Sequence, residues 1–257
     1  MKLKIISYNV NGIRAALKKG LIDWLADENP DIFLVQETKA KPHQIEKDSF
    51  ESAGYHVFAH SAEKPGYSGV AIFSKKKPDH VEEGCGIEKY DREGRVLRAD
   101  FGELTVLSTY FPSGSSSEER QAFKMEFLND FMPFAESLVK QRRKVLISGD
   151  YNICHRPIDI HNPVSNKNSS GFLPEERQWV TDFLDAGFID TFRYFRGDET
   201  DRYSWWTYRF NARKKNLGWR IDYHMVSRDL EPQLRNADIM DDVFHSDHCP
   251  VLIELDA

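Results

Sequence analysis

The chain has 257 residues, 40% of them hydrophobic, and a formal charge of −6, which argues mildly against nonspecific nucleic-acid binding. This length buries a sizeable core, and no apolar run reaches the ~18 residues that span a bilayer, so a helical membrane protein is excluded. The three cysteines (Cys85, Cys154 and Cys249) are odd in number and widely spaced, which excludes a disulfide framework or a zinc site and predicts reduced thiols in the cytoplasm.

Residues 1–5 enter a strand at once, without the apolar segment and cleavage site of a signal peptide. Residues 3–10 alternate apolar and polar side chains as a half-buried strand does. A helix over 14–26 follows, burying Leu17, Leu21, Trp24 and Leu25, with Pro30 at its exit. Residues 31–36 form a short apolar strand leading into Glu37. A helical pattern covers 43–53, and 55–59, 69–74, 96–100 and 104–111 read as strands punctuated by Gly or Pro. Ser116-x-x-Glu119 resembles a capping box opening a long helix, with Phe123, Phe127, Leu128 and Phe131 on its inner face. Pro133 is expected to kink or interrupt that helix before it resumes to 141. Residues 145–148 are a buried strand running into Gly149-Asp150. A polar loop spans about 155–172, and Pro174 opens a helix over 174–186 that Gly187 ends. Strands over 203–208, 220–227 and 250–255 finish the chain.

Strands and helices mix without regular βαβ repetition, and many neighbouring strands read as hairpins. The prediction is one α/β (α+β) domain over residues 1–257, with mixed, largely antiparallel sheets and flanking helices. Each half contains strand–polar-cluster–helix units, a rough twofold echo that falls short of a sequence repeat.

Four polar clusters border apolar, β-branched runs: Tyr8-Asn9-Val10-Asn11, Gln36-Glu37-Thr38, Gly149-Asp150-Tyr151-Asn152 and Ser246-Asp247-His248. Strands of a single sheet can bring distant residues to a common edge, so together these ends describe one site. Glu37 is the strongest candidate ligand for a hard cation, which takes oxygen donors and needs only one or two carboxylates. Asn9, Asn11 and Asp247 can complete or orient that shell. Taken alone, Glu37 would be a solvated loop acid. Gly149 permits close approach of backbone or substrate. An Asp–x–Asn pair such as Asp150 and Asn152 can have one member take a water proton while the other donates to a phosphoryl oxygen; alternatively it closes a strand as an Asx-turn. His248 can bind phosphate or relay a proton, and Asp222 can hold its tautomer or else pair with Arg220.

The stretch Ser204-Trp205-Trp206-Thr207-Tyr208, with Trp219, lies beside Arg209, Arg213, Lys214 and Lys215. Aromatics beside cations stack on bases or cup sugars, although core packing accounts for at least one of these tryptophans. Tyr67 and Tyr110 can donate to phosphate or sit as half-buried strand tyrosines. Arg14, Lys18, Lys19, Lys39 and Lys41 follow two of the clusters. There is no Gly-x-Ser-x-Gly elbow, P-loop or dinucleotide fingerprint.

Asn9-Val10-Asn11-Gly12, Leu34–Lys39, Gly66-Tyr67-Ser68-Gly69, Gly149–Asn152, Gly218–Tyr223 and Ser246–Pro250 occur in an order that makes a chance match very small. On these motifs the chain resembles, nearly end to end, the exonuclease III family of apurinic/apyrimidinic endonucleases, within the endonuclease/exonuclease/phosphatase superfamily. The resemblance implies a four-layered α/β sandwich, two packed mixed β-sheets flanked by helices, with the site where loops of both sheets meet. It implies that Glu37 binds Mg2+, with Mn2+ substituting, beside Asn9, Asn11 and Asp247, and with Asp150, Asn152 and His248 as further candidate ligands. Asp150 would activate the attacking water or serve as the key acid/base, Asn152 would orient water and phosphate, Tyr110 and His248 would contact the phosphate, and Asp222 would support His248. Trp205, Trp219 and Ile221 match a pocket for a flipped-out baseless sugar, whose extrusion forfeits little stacking. Arg209, Tyr67, Arg14, Lys39, Asn166, Asn168 and Ser169 are the further candidate DNA contacts. Asn11 stands where some relatives have Asp, and Ser113 where relatives often have Asn.

The activity so implied is incision 5′ to abasic sites, leaving a 3′-hydroxyl, with 3′-phosphatase, 3′-phosphodiesterase and 3′→5′ exonuclease activity. The implied partner is double-stranded DNA carrying abasic sites or blocked 3′ ends, bound by a monomer with no membrane association. The rivals are an enzyme of the same family that mainly trims 3′ ends, a superfamily phosphodiesterase acting on intact DNA, a phosphoinositide or a lipid headgroup, and a noncatalytic nucleic-acid binder. The last is disfavoured because so many polar groups are costly to keep without partners.

Overall fold

A computed structural model describes residues 2–256. In chain order the elements are β1 (Lys2–Asn9), α1 (Ile13–Leu17), α2 (Leu21–Glu28), β2 (Ile32–Gln36), α3 (Lys47–Ser52), β3 (His56–His60), β4 (Val70–Ser74), β5 (His80–Glu83), α4 (Glu88–Asp91), β6 (Val96–Phe101), β7 (Leu104–Tyr110), α5 (Glu118–Arg142), β8 (Lys144–Asp150), α6 (Pro174–Asp185), β9 (Phe188–Asp190), α7 (Thr191–Arg196), β10 (Asp222–Ser227), β11 (Leu234–Ile239) and β12 (Val251–Asp256). They build two six-stranded sheets, ordered β11-β12-β1-β2-β4-β3 and β5-β6-β7-β8-β10-β9.

Side chains alternate between the two faces of a strand, so each buried strand supplies two apolar layers. Ile5, Ile32, Leu34, Val70 and Ile72 of the first sheet meet Leu97, Ala99, Val106, Leu146 and Val226 of the second, forming the core between them. On the outer face of the first sheet, Phe33, Val35 and Phe73 pack under Ile13, Leu21, Leu25 and Phe50 of α1–α3. On the outer face of the second, Leu107, Ile147 and Met225 pack under Phe127, Phe131, Trp179 and Phe183 of α5 and α6. The result is the helix–sheet–sheet–helix sandwich.

The twofold echo of the sequence is a symmetry of topology. Each sheet has one parallel pair at its centre, β1 with β2 and β7 with β8, and every other neighbouring pair is antiparallel. In register, Asn9 lies opposite Gln36 and Tyr110 opposite Asp150. Four central strands thus end in polar residues. Buried polar bridges lock the sheets together there: Gln36 Nε2 donates to Ser108 Oγ at 3.0 Å, and Ser108 Oγ donates to the Val35 carbonyl at 3.0 Å.

Several expectations are corrected. The helix over 14–26 is two helices, because the chain turns at Gly20 with φ of 91°. The N-cap of α5 is Ser117, whose Oγ accepts from Arg120 N at 3.2 Å, and not Ser116. Pro133 does not interrupt α5: Asn129 and Pro133 are both exposed, so the carbonyl freed by the missing N–H meets water. Residues 203–208 are not a strand; Trp205 forms only isolated bridges, to Trp219 and His248. The strand expected over 220–227 starts at Asp222. The helices α4 and α7 and the strands β5, β9 and β11 carry no expectation from the sequence.

Candidate active site

The site forms where the C-terminal ends of β1, β2, β7 and β8 converge with the segment before β12. Gly149 lets β8 run this close to β7: its φ is +147°, and a Cβ there would lie 1.8 Å from the Thr109 carbonyl oxygen. The next residue, Asp150, is buried at the end of the strand. Beyond β1 and β2 the chain turns sharply, with Asn11, Glu37 and Lys39 all in the left-handed region, and Asn152 repeats this after β8. Left-handed backbone is ordinary for Asn but a real cost for Glu and Lys, and such strain concentrates at functional sites.

These turns bring distant groups together. Asn9 Nδ2 donates to Glu37 Oε1 at 2.9 Å and to Asp150 Oδ2 at 2.9 Å. Asn11 Nδ2 donates to Asp247 Oδ1 at 2.9 Å, and Asp247 Oδ2 accepts from Trp205 Nε1 at 3.1 Å. Asn152 Nδ2 donates to the Phe111 carbonyl at 3.0 Å and to Asp150 Oδ2 at 3.3 Å, while its backbone N–H donates to Asp150 Oδ1 at 2.8 Å. His248 Nδ1 lies 2.9 Å from Asp222 Oδ2, and its Nε2 lies 3.9 Å from Asp150 Oδ2. Asp222 Oδ2 also accepts from Ser204 Oγ at 2.6 Å.

Four carboxylates, Glu37, Asp150, Asp222 and Asp247, therefore face one ammonium and one imidazole. Ligand atoms of Glu37, Asp150 and His248 lie within 4.8 Å of one another. The Lys39 ammonium sits 2.7 Å from Glu37 Oε2 and also donates to Asn11 Oδ1. A cation between those two oxygens, an excess of carboxylate and a donor set dominated by oxygen all fit a hard divalent ion.

Burial and charge set the protonation states. Burial raises the proton affinity of Asp150, and the Asp222 carboxylate adds to the rise. Burial alone would lower His248, but Asp222, and then Asp150 and Asp247, hold it well above its ordinary value. For Glu37, burial acts upward and is outweighed by Lys39 and Asn9, which keep it ionised. Burial and the Glu37 carboxylate push the Tyr110 hydroxyl up, so it stays a donor.

A cleft of about 350 Å³ opens over this cluster, walled by Tyr110, Ser113, Asn152, Ser170, Trp205, Trp219 and Ile221. Trp205 and Trp219 meet edge to face at 5.9 Å between ring centroids. The sequence pattern of the Endonuclease/Exonuclease/phosphatase family matches residues 6–248.

The chain belongs to that family. It is 42% identical to an exodeoxyribonuclease of Bacillus subtilis over 97% of this chain and 98% of the relative. It is 40% identical to the DNA repair nuclease APEX1 of Danio rerio over 98% of this chain and 82% of that one. The fold matches the solved structure of an AP endonuclease from Archaeoglobus fulgidus with a TM-score of 0.91 and 31% identity, covering 99% of this chain and all of that one.

Within this family member, Arg14, Arg209, Tyr67, Asn166, Asn168 and Ser169, also singled out by sequence, do not line the cleft. Arg14 and Arg209 are exposed. Tyr67 is bound into a network: its hydroxyl accepts from Arg95 Nη2 at 2.9 Å and from Arg120 Nη2 at 3.1 Å. Asn166 ties its own loop: its Nδ2 donates to the carbonyls of His161 and Asn162, and its Oδ1 accepts from Ser169 Oγ at 3.4 Å. Asn168 is exposed, and the cleft wall in this loop is Ser170 instead.

Sequence reasoning missed Arg95 and Ser204. Buried Arg95 donates to the Tyr110 carbonyl at 2.9 Å, with its guanidinium 5.0 Å from the Tyr110 ring centroid. Ser204 Oγ accepts from the backbone N–H groups of Ile221 and Asp222 as well as donating to Asp222. An Arg just before a strand and a Ser before two tryptophans give no pattern that distinguishes them. Among the described residues, no helix is long and apolar enough to cross a membrane.

Proposed function

We propose that this chain is a DNA-repair phosphodiesterase, acting as a single domain over residues 1–257, that requires a divalent cation, Mg2+ with Mn2+ substituting. It incises double-stranded DNA 5′ to abasic sites and leaves a 3′-hydroxyl. The observation that carries the reading is the meeting of Glu37, Asp150 and His248 within 4.8 Å, beneath a cleft walled by Trp205 and Trp219.

The roles follow from the hydrogen bonds. Asp150, its proton affinity raised by burial, takes the proton of the attacking water. Asn152 and Asn9 fix its two oxygens and so aim it. His248, held protonated and oriented by Asp222, donates through Nε2 to the phosphoryl oxygen, and the Tyr110 hydroxyl donates beside it. Glu37 would hold the cation, with Asn9, Asn11 and Asp247 shaping its surroundings; a cation there neutralises phosphate charge and stabilises the leaving oxygen. Trp205, Trp219 and Ile221 offer an apolar wall to a sugar that lacks its base. Lys39, Arg14 and Arg209 are proposed to meet the DNA backbone.

The same phosphoryl chemistry serves blocked or intact 3′ ends, and the Bacillus subtilis relative is named an exodeoxyribonuclease. An end-labelled duplex with one internal abasic analogue, incubated with and without Mg2+, tests the reading. A single fragment ending in a 3′-hydroxyl at the lesion is the expected product. A ladder of trimmed ends would make the chain mainly an exonuclease, and an intact strand with Mg2+ present would overturn the proposal.

A further inference from the structure

Beneath the cleft lies an ion pair that the chemistry above does not use. Lys124 of α5 and Glu176 in the first turn of α6 are fully buried, with Nζ 2.6 Å from Oε1. A buried ion pair is seldom retained for stability, since desolvating both charges offsets most of their attraction. The hydrogen bonds of this pair run to the cleft wall. Lys124 Nζ donates to the Asn152 carbonyl at 2.8 Å. Glu176 Oε2 accepts from the backbone N–H groups of Gly171 at 2.6 Å and Leu173 at 3.0 Å. Gln121 extends the network, donating to Glu176 Oε1 at 3.0 Å while its Oε1 accepts from Ser170 Oγ at 2.6 Å.

The turn held in this way has no slack. A Cβ on Gly171 would lie 2.9 Å from Trp219 Cζ3 and 3.0 Å from the Asn152 carbonyl oxygen. One charge pair therefore fixes both sides of the gap: Asn152 on the phosphate side, and Ser170-Gly171 seated against Trp219 on the sugar side. We propose that Lys124 and Glu176 are positioning residues that set the width of this wall, and with it the preference for an internal baseless nucleotide over a 3′-terminal one. The inference rests on the nuclease reading given above.

The test is the ratio of incision at an abasic analogue to 3′→5′ trimming of an intact recessed duplex, measured with the thermal midpoint of each protein. Removing one charge strands the other, so the informative variant is the double substitution Lys124→Met with Glu176→Gln, which leaves no uncompensated charge. Its incision-to-trimming ratio is expected to fall about tenfold, mainly through kcat of incision, because small misplacements of catalytic groups cost rate. Gln121→Ala keeps the pair but frees Ser170, and the same ratio is expected to shift in the same direction by a smaller factor; it decides the matter if the double variant does not fold. A wild-type ratio in a folded variant overturns the inference. Failure of the wild-type protein to incise would instead overturn the functional reading beneath it.

Discussion

Asn9 ends the central strand of one sheet and Asp150 ends the central strand of the other, 141 positions apart, yet Asn9 Nδ2 lies 2.9 Å from Asp150 Oδ2. The same amide group also holds Glu37 at 2.9 Å. One side chain thus couples the candidate base to the candidate metal ligand across the seam of the sandwich.

Asp150→Ala should lower single-turnover incision by roughly 10²–10⁴-fold, the usual worth of a positioned general base. DNA affinity should stay within a few-fold, because His248 and Tyr110, the donors proposed to meet the phosphate, remain. A gel shift beside the rate measurement separates the two effects, and near-normal turnover would remove Asp150 from the chemistry.

Chelation with EDTA should stop cleavage, and added Mg2+ should restore it. Glu37→Gln should raise the Mg2+ concentration needed for half-maximal rate by at least about tenfold, since ligands and their partners weigh at that scale. A titration of rate against Mg2+ measures it; full activity in rigorously metal-free protein would rule out the metal role.

Asp222→Asn keeps the shape but removes the largest of the charges that together outweigh burial at His248. The proton affinity of His248 should fall, so the alkaline limb of the pH–rate profile should move to lower pH. The rate at the optimum should drop about 10–100-fold. An unmoved limb would mean that His248 does not act as the protonated donor.

His224 gives a stability signature independent of activity. Its Nδ1 lies 2.7 Å from Ser148 Oγ and its Nε2 2.9 Å from the Val251 carbonyl, bridging the sheets. Burial lowers its pKa to about 4, below the 6.5 of a free imidazole. Between those values the unfolded chain binds more protons, so stability is full above pH 6.5 and declines as pH falls towards 4. The slope from this residue is at most about 1.4 kcal/mol per pH unit. Urea unfolding at pH 7 and pH 5 should show the loss, and His224→Gln, which can keep both hydrogen bonds, should reduce it.

The central strands and their polar ends were legible in sequence because buried strands concentrate apolar, β-branched residues and stop abruptly at Asn9, Gln36 and Asp150. Three of the four edge strands were not. Strand β5 is mostly exposed, β9 is three residues long, and β11 carries an irregular register between Leu234 and Asn236, so none has a clean alternation. Trp205 and Trp219, singled out by their aromaticity, wall the cleft, whereas in the 162–172 loop it is Ser170 and not Asn168 or Ser169 that does so, since a polar loop has no periodicity to say which side chain turns inward.

By itself the sequence determined the residue types of the site, the strands that present them and the family, because hydrogen-bonding capacity and apolar patterning are local properties. The tertiary structure alone decided which groups share a hydrogen bond: that Asn9 joins Glu37 to Asp150, that Arg95 backs Tyr110, and that Lys124 and Glu176, charged residues on helices, are buried together under Asn152. Those pairings depend on how two sheets and their covering helices pack, and the desolvation that raises the proton affinity of Asp150, like the carboxylates that hold His248 protonated against it, comes together only once that packing has excluded water.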